Sequence, residues 1–251
     1  MPNIVVRLLS ALVLVPILIG AFMLGSPYWT IFLALTAGLI SYEWLKLIQN
    51  EAAKANAFCI GLFFFVFVML PSIPLWAVAC LGLPAALVGQ PQHRGLAVLT
   101  GVYIALPVLC IQLVGDMSAL GLLWLALVVW LTDTFALVFG KTIGGPKLAP
   151  SLSPNKTWAG LFGGLLGALA ITGVFMMYAD GADSTLYVWA ALVSLAGQAG
   201  DLFESKFKRQ FDVKDSGAII PGHGGILDRM DSFLFAAPIV WALLAYGFIT
   251  L

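Results

Sequence analysis

Apolar runs of about twenty residues recur along almost the whole chain, and a run of that length is what an α-helix needs to cross a hydrocarbon core about 30 Å thick. In lipid every backbone N–H and C=O must find its partner inside the protein, so such runs fold as membrane helices. Composition agrees: 61% of the 251 residues are apolar and 10% are charged, against roughly 25% charge in soluble domains. Mean hydropathy is +1.03. The class expected is an all-α polytopic membrane protein, one integral-membrane domain in which 1–115 are N-terminal helices and 116–251 hold the catalytic helices and loops. Net charge is zero, which gives no global field for nucleic acid. Cys59, Cys80 and Cys110 lie in apolar runs with neither CxxC nor histidine spacing. They read as buried thiols, outside any disulfide framework or metal site.

Polar and Pro/Gly interruptions cut the chain into nine spans, at 4–24, 28–47, 57–70, 73–89, 96–114, 119–139, 158–178, 185–204 and 232–251. Only Pro71-Ser-Ile-Pro74 separates the third from the fourth, so that pair also fits a re-entrant hairpin, which would leave eight. The apolar stretch from Leu8 to Leu24 is longer than a signal-peptide core and no clear cleavage site follows it, so it is read as a helix. Nine spans place all 12 basic residues on one side: Arg7, Lys46, Lys54, Arg94, Lys141, Lys147, Lys156, Lys206, Lys208, Arg209, Lys214 and Arg229. The opposite loops carry only Asp116, Asp180 and Asp183. This is the positive-inside pattern, and it orients the chain N-in and C-out.

Charge is concentrated where the last two spans approach each other in sequence. Residues 201–231 hold 11 of the 24 charges. Several of these are acids at or inside predicted helix ends, where a carboxylate is costly and marks an ion or substrate site. Asp201, Glu204 and Ser205 fall at i, i+3 and i+4 of one helix face, and Asp228 and Asp231 at i, i+3 of the next. Oxygen ligands alone, with no cysteine and no paired histidines, suit Mg²⁺. A cation held this way asks for a phosphate-bearing partner, and Lys206, Lys208, Arg209 and Lys214 supply the positive complement. Pro221-Gly-His-Gly-Gly225 offers a loop whose N–H groups can approach an anion.

A second polar stretch runs from Asp133 to Trp158. Asp133 is embedded in apolar sequence and therefore reads as a cation or substrate ligand. Ser153-Pro-Asn-Lys156-Thr157 opens span seven with hydroxyls and an amide suited to capping it. Gly160/Gly164 and Gly163/Gly167 form two GxxxG pairs, a close-packing device with no chemistry attached.

The run from Ser205 through Lys208-Arg209, Lys214-Asp215, Gly217, Pro221-Gly-His223-Gly224-Gly225 and Asp228-Arg229-Met-Asp231 closely resembles the signature of phosphatidate cytidylyltransferases, the CDP-diacylglycerol synthases of bacterial membranes. Asp133-Thr, Gly140-Lys141 and Lys147 through Ser153-Pro-Asn-Lys156-Thr157-Trp158 are similar to a second recurrent stretch of that family. Ala159 stands where the family usually carries Glu, and Phe135-Ala-Leu137 also departs from its pattern. The resemblance implies transfer of CMP from CTP to phosphatidic acid, giving CDP-diacylglycerol and pyrophosphate. It implies Mg²⁺ at Asp201, Asp228 and Asp231 with a potassium ion beside it, and Asp133, from its apolar setting, joins the candidate metal ligands. Candidate catalytic groups are Lys208, Arg209, Lys214, Asp215, His223 and Arg229. Candidate substrate-binding groups are Ser153, Lys156, Thr157, Ser205, Gly224 and Gly225. A homodimer, a bacterial inner-membrane location and a cytoplasmic-face active site are the corresponding expectations.

Two other readings stay open on sequence. Cytidylyl transfer to an isoprenoid-type lipid phosphate would use the same polar residues, with a different acceptor pocket among the apolar spans. A transporter of phosphate-bearing solutes would also use intramembrane carboxylates, although transporters usually carry internal repeats, and none is found between the two halves.

Overall fold

In the computed structural model, residues 4–70, 76–88, 90–178, 183–220, 222 and 224–251 are described. Apolar sequence becomes helix nearly throughout. The elements are α1 (Ile4–Leu24), α2 (Tyr28–Leu47), α3 (Ala53–Met69), α4 (Trp76–Ala79), α5 (Leu83–Val88), α6 (Arg94–Thr100), α7 (Leu106–Met117), α8 (Ala119–Thr142), β1 (Lys147–Ala149), β2 (Ser153–Thr157), α9 (Trp158–Met176), α10 (Thr185–Gln210) and α11 (Leu227–Ala245). Among the described residues five helical stretches are long and apolar enough to cross a membrane: Tyr28–Leu47, Pro91–Met117, Ala119–Thr142, Trp158–Met176 and Thr185–Gln210.

The chain divides into two compact units, 1–112 with 210–230, and 113–209 with 231–251. In the first unit α2 lies against α3, and Gly38 and Gly61 allow it: a Cβ on Gly61 would stand 2.9 Å from the Ala34 carbonyl oxygen. Fully buried Trp44 packs edge-on against Tyr103, ring centroids 5.0 Å apart, and donates from its indole N–H to the Leu96 carbonyl at 3.1 Å. Asn50 ties in α5 by donating to the Ala85 carbonyl at 2.8 Å.

The fourth expected span, 73–89, is not one continuous helix. It is α4, a 3₁₀ turn at Cys80–Gly82 and α5. Gly82 sits directly on the carbonyls of Ala97 and Val98, leaving no room for a Cβ, and Pro84 cannot supply a helical N–H. The Pro71–Pro74 turn lies outside the described residues. Span five is longer than its apolar core suggests, running unbroken from Pro91 to Met117 through a π-helical turn at Gly101–Ala105. Of the three free cysteines only Cys110 is buried, while Cys59 and Cys80 are exposed. An apolar run can face lipid as readily as a core, so apolarity alone could not distinguish the two.

In the second unit α8 and α9 pair along the glycine stripe. A Cβ would lie 2.9 Å from the Ala136 carbonyl oxygen at Gly160, 2.5 Å from Phe139 Cβ at Gly163, 3.1 Å from the Thr132 carbonyl oxygen at Gly164 and 2.6 Å from the Leu131 carbonyl oxygen at Gly167. Backbone therefore lies on backbone, as the two GxxxG pairs predict. Trp124 on α8 seals the pair by donating to the Thr172 hydroxyl at 3.1 Å. Helix α10 joins through Thr132 and Ser194, whose hydroxyls are 3.0 Å apart. It meets α11 where Gly200 lies against the Asp231 carbonyl and Phe203 against Phe235 at 5.3 Å between centroids. Among the described residues the strands are those of the antiparallel hairpin β1–β2, with Lys147 opposite Thr157 and Ala149 opposite Ser153. Pro146, Pro150 and Pro154 in its sequence prevent that segment from extending α8.

Candidate active site

Helix α10 changes character along its length, apolar at the start and polar from Asp201 onward, and its last turn carries Lys208 and Arg209, cations on the negative end of the helix dipole. The expected face is present. Ser205 Oγ lies 3.4 Å from Asp201 Oδ1 and Lys208 Nζ lies 2.9 Å from Glu204 Oε2. The Glu204 side chain is fully shielded from solvent and that of Lys208 is 13% exposed. A carboxylate so far from water needs a cation or several donors beside it. Asp231, 8% exposed at the start of α11, accepts the Ser232 N–H at 2.8 Å and feels the charges of Asp201, Glu204 and Asp133. Asp133 itself lies on the exposed face of α8.

The hairpin completes this cluster. Lys156 on β2 reaches Asp201 at 2.7 Å, the side chains 23% and 36% exposed, and its Nζ is 3.5 Å from the Gln198 carbonyl. Arg209 Nε donates to the Leu152 carbonyl at 3.3 Å. Parts of the two polar stretches, 152–156 of the first and 201–209 of the second, are thus in contact. Thr157, not Ser153, caps α9: its buried hydroxyl accepts the Gly160 N–H at 3.1 Å, which leaves Ser153 in the strand.

The signature loop belongs to the first unit. Asp228, in the first turn of α11, accepts the Ser216 N–H at 3.2 and 3.0 Å on its two oxygens and the Gly225 N–H at 2.9 Å. Ile220 N–H donates to the Gly224 carbonyl at 3.0 Å. Gly222 and Gly224 adopt φ +76° and +86°, the left-handed region that favours glycine. The amides of Ser216 and Gly225 are therefore held by the chain's own carboxylate, not left open for an anion as the glycine content suggests. Lys214, Asp215 and Arg229 are exposed. His223 and Pro221 lie outside the described residues.

Sequence reasoning missed Glu43. This residue of α2 is 1% exposed, and its Oε2 accepts the Leu227 N–H at 2.8 Å across 184 residues of sequence. Its signal was there to be used, a lone carboxylate between Ile40-Ser-Tyr42 and Trp44-Leu45 inside an apolar span, which is costly unless it has work to do.

A family model described as the cytidylyltransferase family matches residues 5–247, which is nearly the whole chain. This chain belongs to the cytidylyltransferase family. Among similar proteins, the phosphatidate cytidylyltransferase of Staphylococcus epidermidis is 50% identical over 128 residues, covering 49% of this chain and 48% of that protein. Those of Staphylococcus saprophyticus and Staphylococcus aureus are 51% and 53% identical over the same length. The match spans about half the length of these curated relatives.

For a cytidylyltransferase the two units divide the nominated residues. Asp133, Lys156, Thr157, Asp201, Ser205, Lys208, Arg209 and Asp231 fall in the second, together with Ser153. Lys214, Asp215, Gly224, Gly225, Asp228 and Arg229 fall in the first. Among the described residues no three His, Cys, Asp or Glu side chains are gathered tightly enough to hold a metal ion. Lys156 and Lys208 stand instead against two of the acids.

Proposed function

We propose that this cytidylyltransferase transfers CMP from CTP to phosphatidic acid, giving CDP-diacylglycerol and pyrophosphate, in a bacterial inner membrane with the polar clusters at the cytoplasmic face. What carries the reading is the joining of the two polar stretches, Lys156 on Asp201 and Arg209 on Leu152, in a chain whose relatives are named for this reaction. In the reaction an oxygen of the lipid phosphate monoester attacks the α-phosphorus of CTP. The bond to the β-phosphate breaks and pyrophosphate leaves with the electron pair. The nucleophile is already ionised at neutral pH, so no side chain need act as a strong base. Catalysis is then mainly positioning and charge neutralisation.

Lys208, Arg209, Lys214 and Arg229 are the cations proposed to meet the triphosphate, and Lys156 is held within the second unit by its contact with Asp201. Asp228 shapes the loop through the Ser216 and Gly225 amides. Thr157 sets where α9 begins. The donor chemistry at Asp201 and Asp231 suits a hard divalent cation in kind, being oxygen only, although no third described acid stands close enough to complete a ready-made site and Lys156 already stands against Asp201. Asp201 and Asp231 would hold Mg²⁺. The ion would neutralise phosphate charge when bound, and K⁺ beside it is part of the same proposal. A homodimer in the bilayer completes the assembly proposed.

The test is pyrophosphate release in mixed micelles from CTP, with and without phosphatidic acid and Mg²⁺. Wild type should require both, and Asp231→Asn should lower turnover at least a hundred-fold while melting as a folded protein. Release without phosphatidate, or full turnover by Asp231→Asn at saturating Mg²⁺, would reject the assignment. Turnover only with an isoprenoid phosphate would redirect the acceptor.

A further inference from the structure

Gly217 and Gly225 both belong to the signature loop, yet neither has the left-handed backbone that explains Gly222 and Gly224. A side chain at either would press on Glu43. A Cβ on Gly217 would run into Glu43 Oε1 and lie 2.7 Å from its Cδ. One on Gly225 would run into Ser216 Oγ and lie 2.7 Å from Glu43 Oε2. The carboxylate is therefore walled by two bare backbone segments, with Leu227 N–H donating to it at 2.8 Å and the Ile226 N–H and Ser216 hydroxyl facing it. Leu227 is the first residue of α11, where four N–H groups have no partner within the helix. Glu43 supplies one of them with an acceptor from α2, as a cap reaching in from another element, and does so inside the fold at 1% exposure. Asp228, the next residue, holds the other side of the loop through Ser216 and Gly225.

We propose that Glu43 is a positioning residue for the transfer reaction: its carboxylate, gripped between Gly217 and Gly225 and bonded to Leu227 N–H, fixes the loop that presents Lys214, Asp215 and Arg229. The proposal rests on the loop being part of the phosphate-transfer site. It needs an acceptor at Glu43, not a charge, because the groups that donate to it are neutral and the one charge acting on it, the Asp228 carboxylate, is of the same sign. Glutamine keeps such an oxygen, and its amide N–H can meet the Ser216 hydroxyl. Alanine keeps neither.

Hydrogen exchange on the detergent-solubilised full chain reads the loop independently of activity. In Glu43→Ala, peptides covering 214–230 should exchange about ten-fold faster or more, while peptides from α8 and α9 stay as in wild type, because the opening is local. The kcat should fall about ten- to a hundred-fold, as misplacement of reacting groups does, with KM for CTP little changed. Glu43→Gln should restore most of both. Unchanged loop exchange in Glu43→Ala would overturn the proposal. So would a Glu43→Gln variant as damaged as Glu43→Ala, since that would assign the charge itself. If Glu43→Ala does not fold, Gly217→Ala, which presses on the same carboxylate, should give the same loop-confined rise in exchange, and its absence would count equally against the proposal. A wild type that transfers CMP to no lipid phosphate would fell the proposed function, while the exchange data would still decide the role of Glu43.

Discussion

Lys208 and Glu204 make the sharpest residue-scale case, because the two side chains are 13% and 0% exposed at 2.9 Å. Breaking a buried pair costs more than deleting it, since a charge is left where water cannot reach. Lys208→Met should therefore destabilise the protein by about 3 kcal/mol, read as a lowered melting temperature in detergent. The double variant Lys208→Met/Glu204→Gln should recover most of the loss in melting and none of the loss in turnover. Equal melting of single and double variants would mean that Glu204 is not charged in the fold. The face itself was legible in the sequence, since i, i+3, i+4 spacing needs only helix geometry. Lys156 on Asp201 and Leu227 on Glu43 were not, because each joins elements far apart in the chain, and apolar flanks say nothing about which distant amide a carboxylate will meet.

At the scale of elements the sequence was most informative where packing is decided by absence of side chains. The stripe Gly160, Gly163, Gly164 and Gly167 predicted a close approach, and α9 meets α8 there backbone to backbone. Gly167→Leu should force the helices apart and cost about 1–3 kcal/mol, the range for overpacking a filled interface. Gly95 has nothing within 4 Å of an added Cβ, so Gly95→Ala should leave melting unchanged or raise it slightly through better helix propensity. A Gly167→Leu variant that melts with wild type would mean that α8 and α9 do not meet along that stripe in the membrane. Element ends were harder to read. The apolar cores placed span five at 96–114, while the helix continues from Pro91 to Met117, because polar residues at an interface can stay helical once the ladder is established. The hairpin was hidden for the opposite reason: a polar stretch with three prolines looks like loop until its strands pair.

For the molecule as a whole, the asymmetry of charge makes the strongest claim. All 12 basic residues fall on one side of a nine-span reading, a bias that sets orientation during insertion. The reaction proposed needs that side to face the cytosol, where CTP is. The packing of 210–230 with the N-terminal helices was invisible in sequence, since it depends on Glu43, yet orientation does not depend on it. With Cys59, Cys80 and Cys110 replaced by alanine, Lys214→Cys should resist a membrane-impermeant maleimide in intact spheroplasts and react once the membrane is opened. Asp116→Cys, in the last turn of α7, should react in both. The reverse pattern would put the signature loop outside, away from its nucleotide, and orientation and proposed reaction would then fail together. Labelling of both positions in intact cells would instead change the parity of crossings between them. Residue 116 closes α7 and residue 214 follows α10, so α8, α9 and α10 are the helices whose odd count this experiment tests.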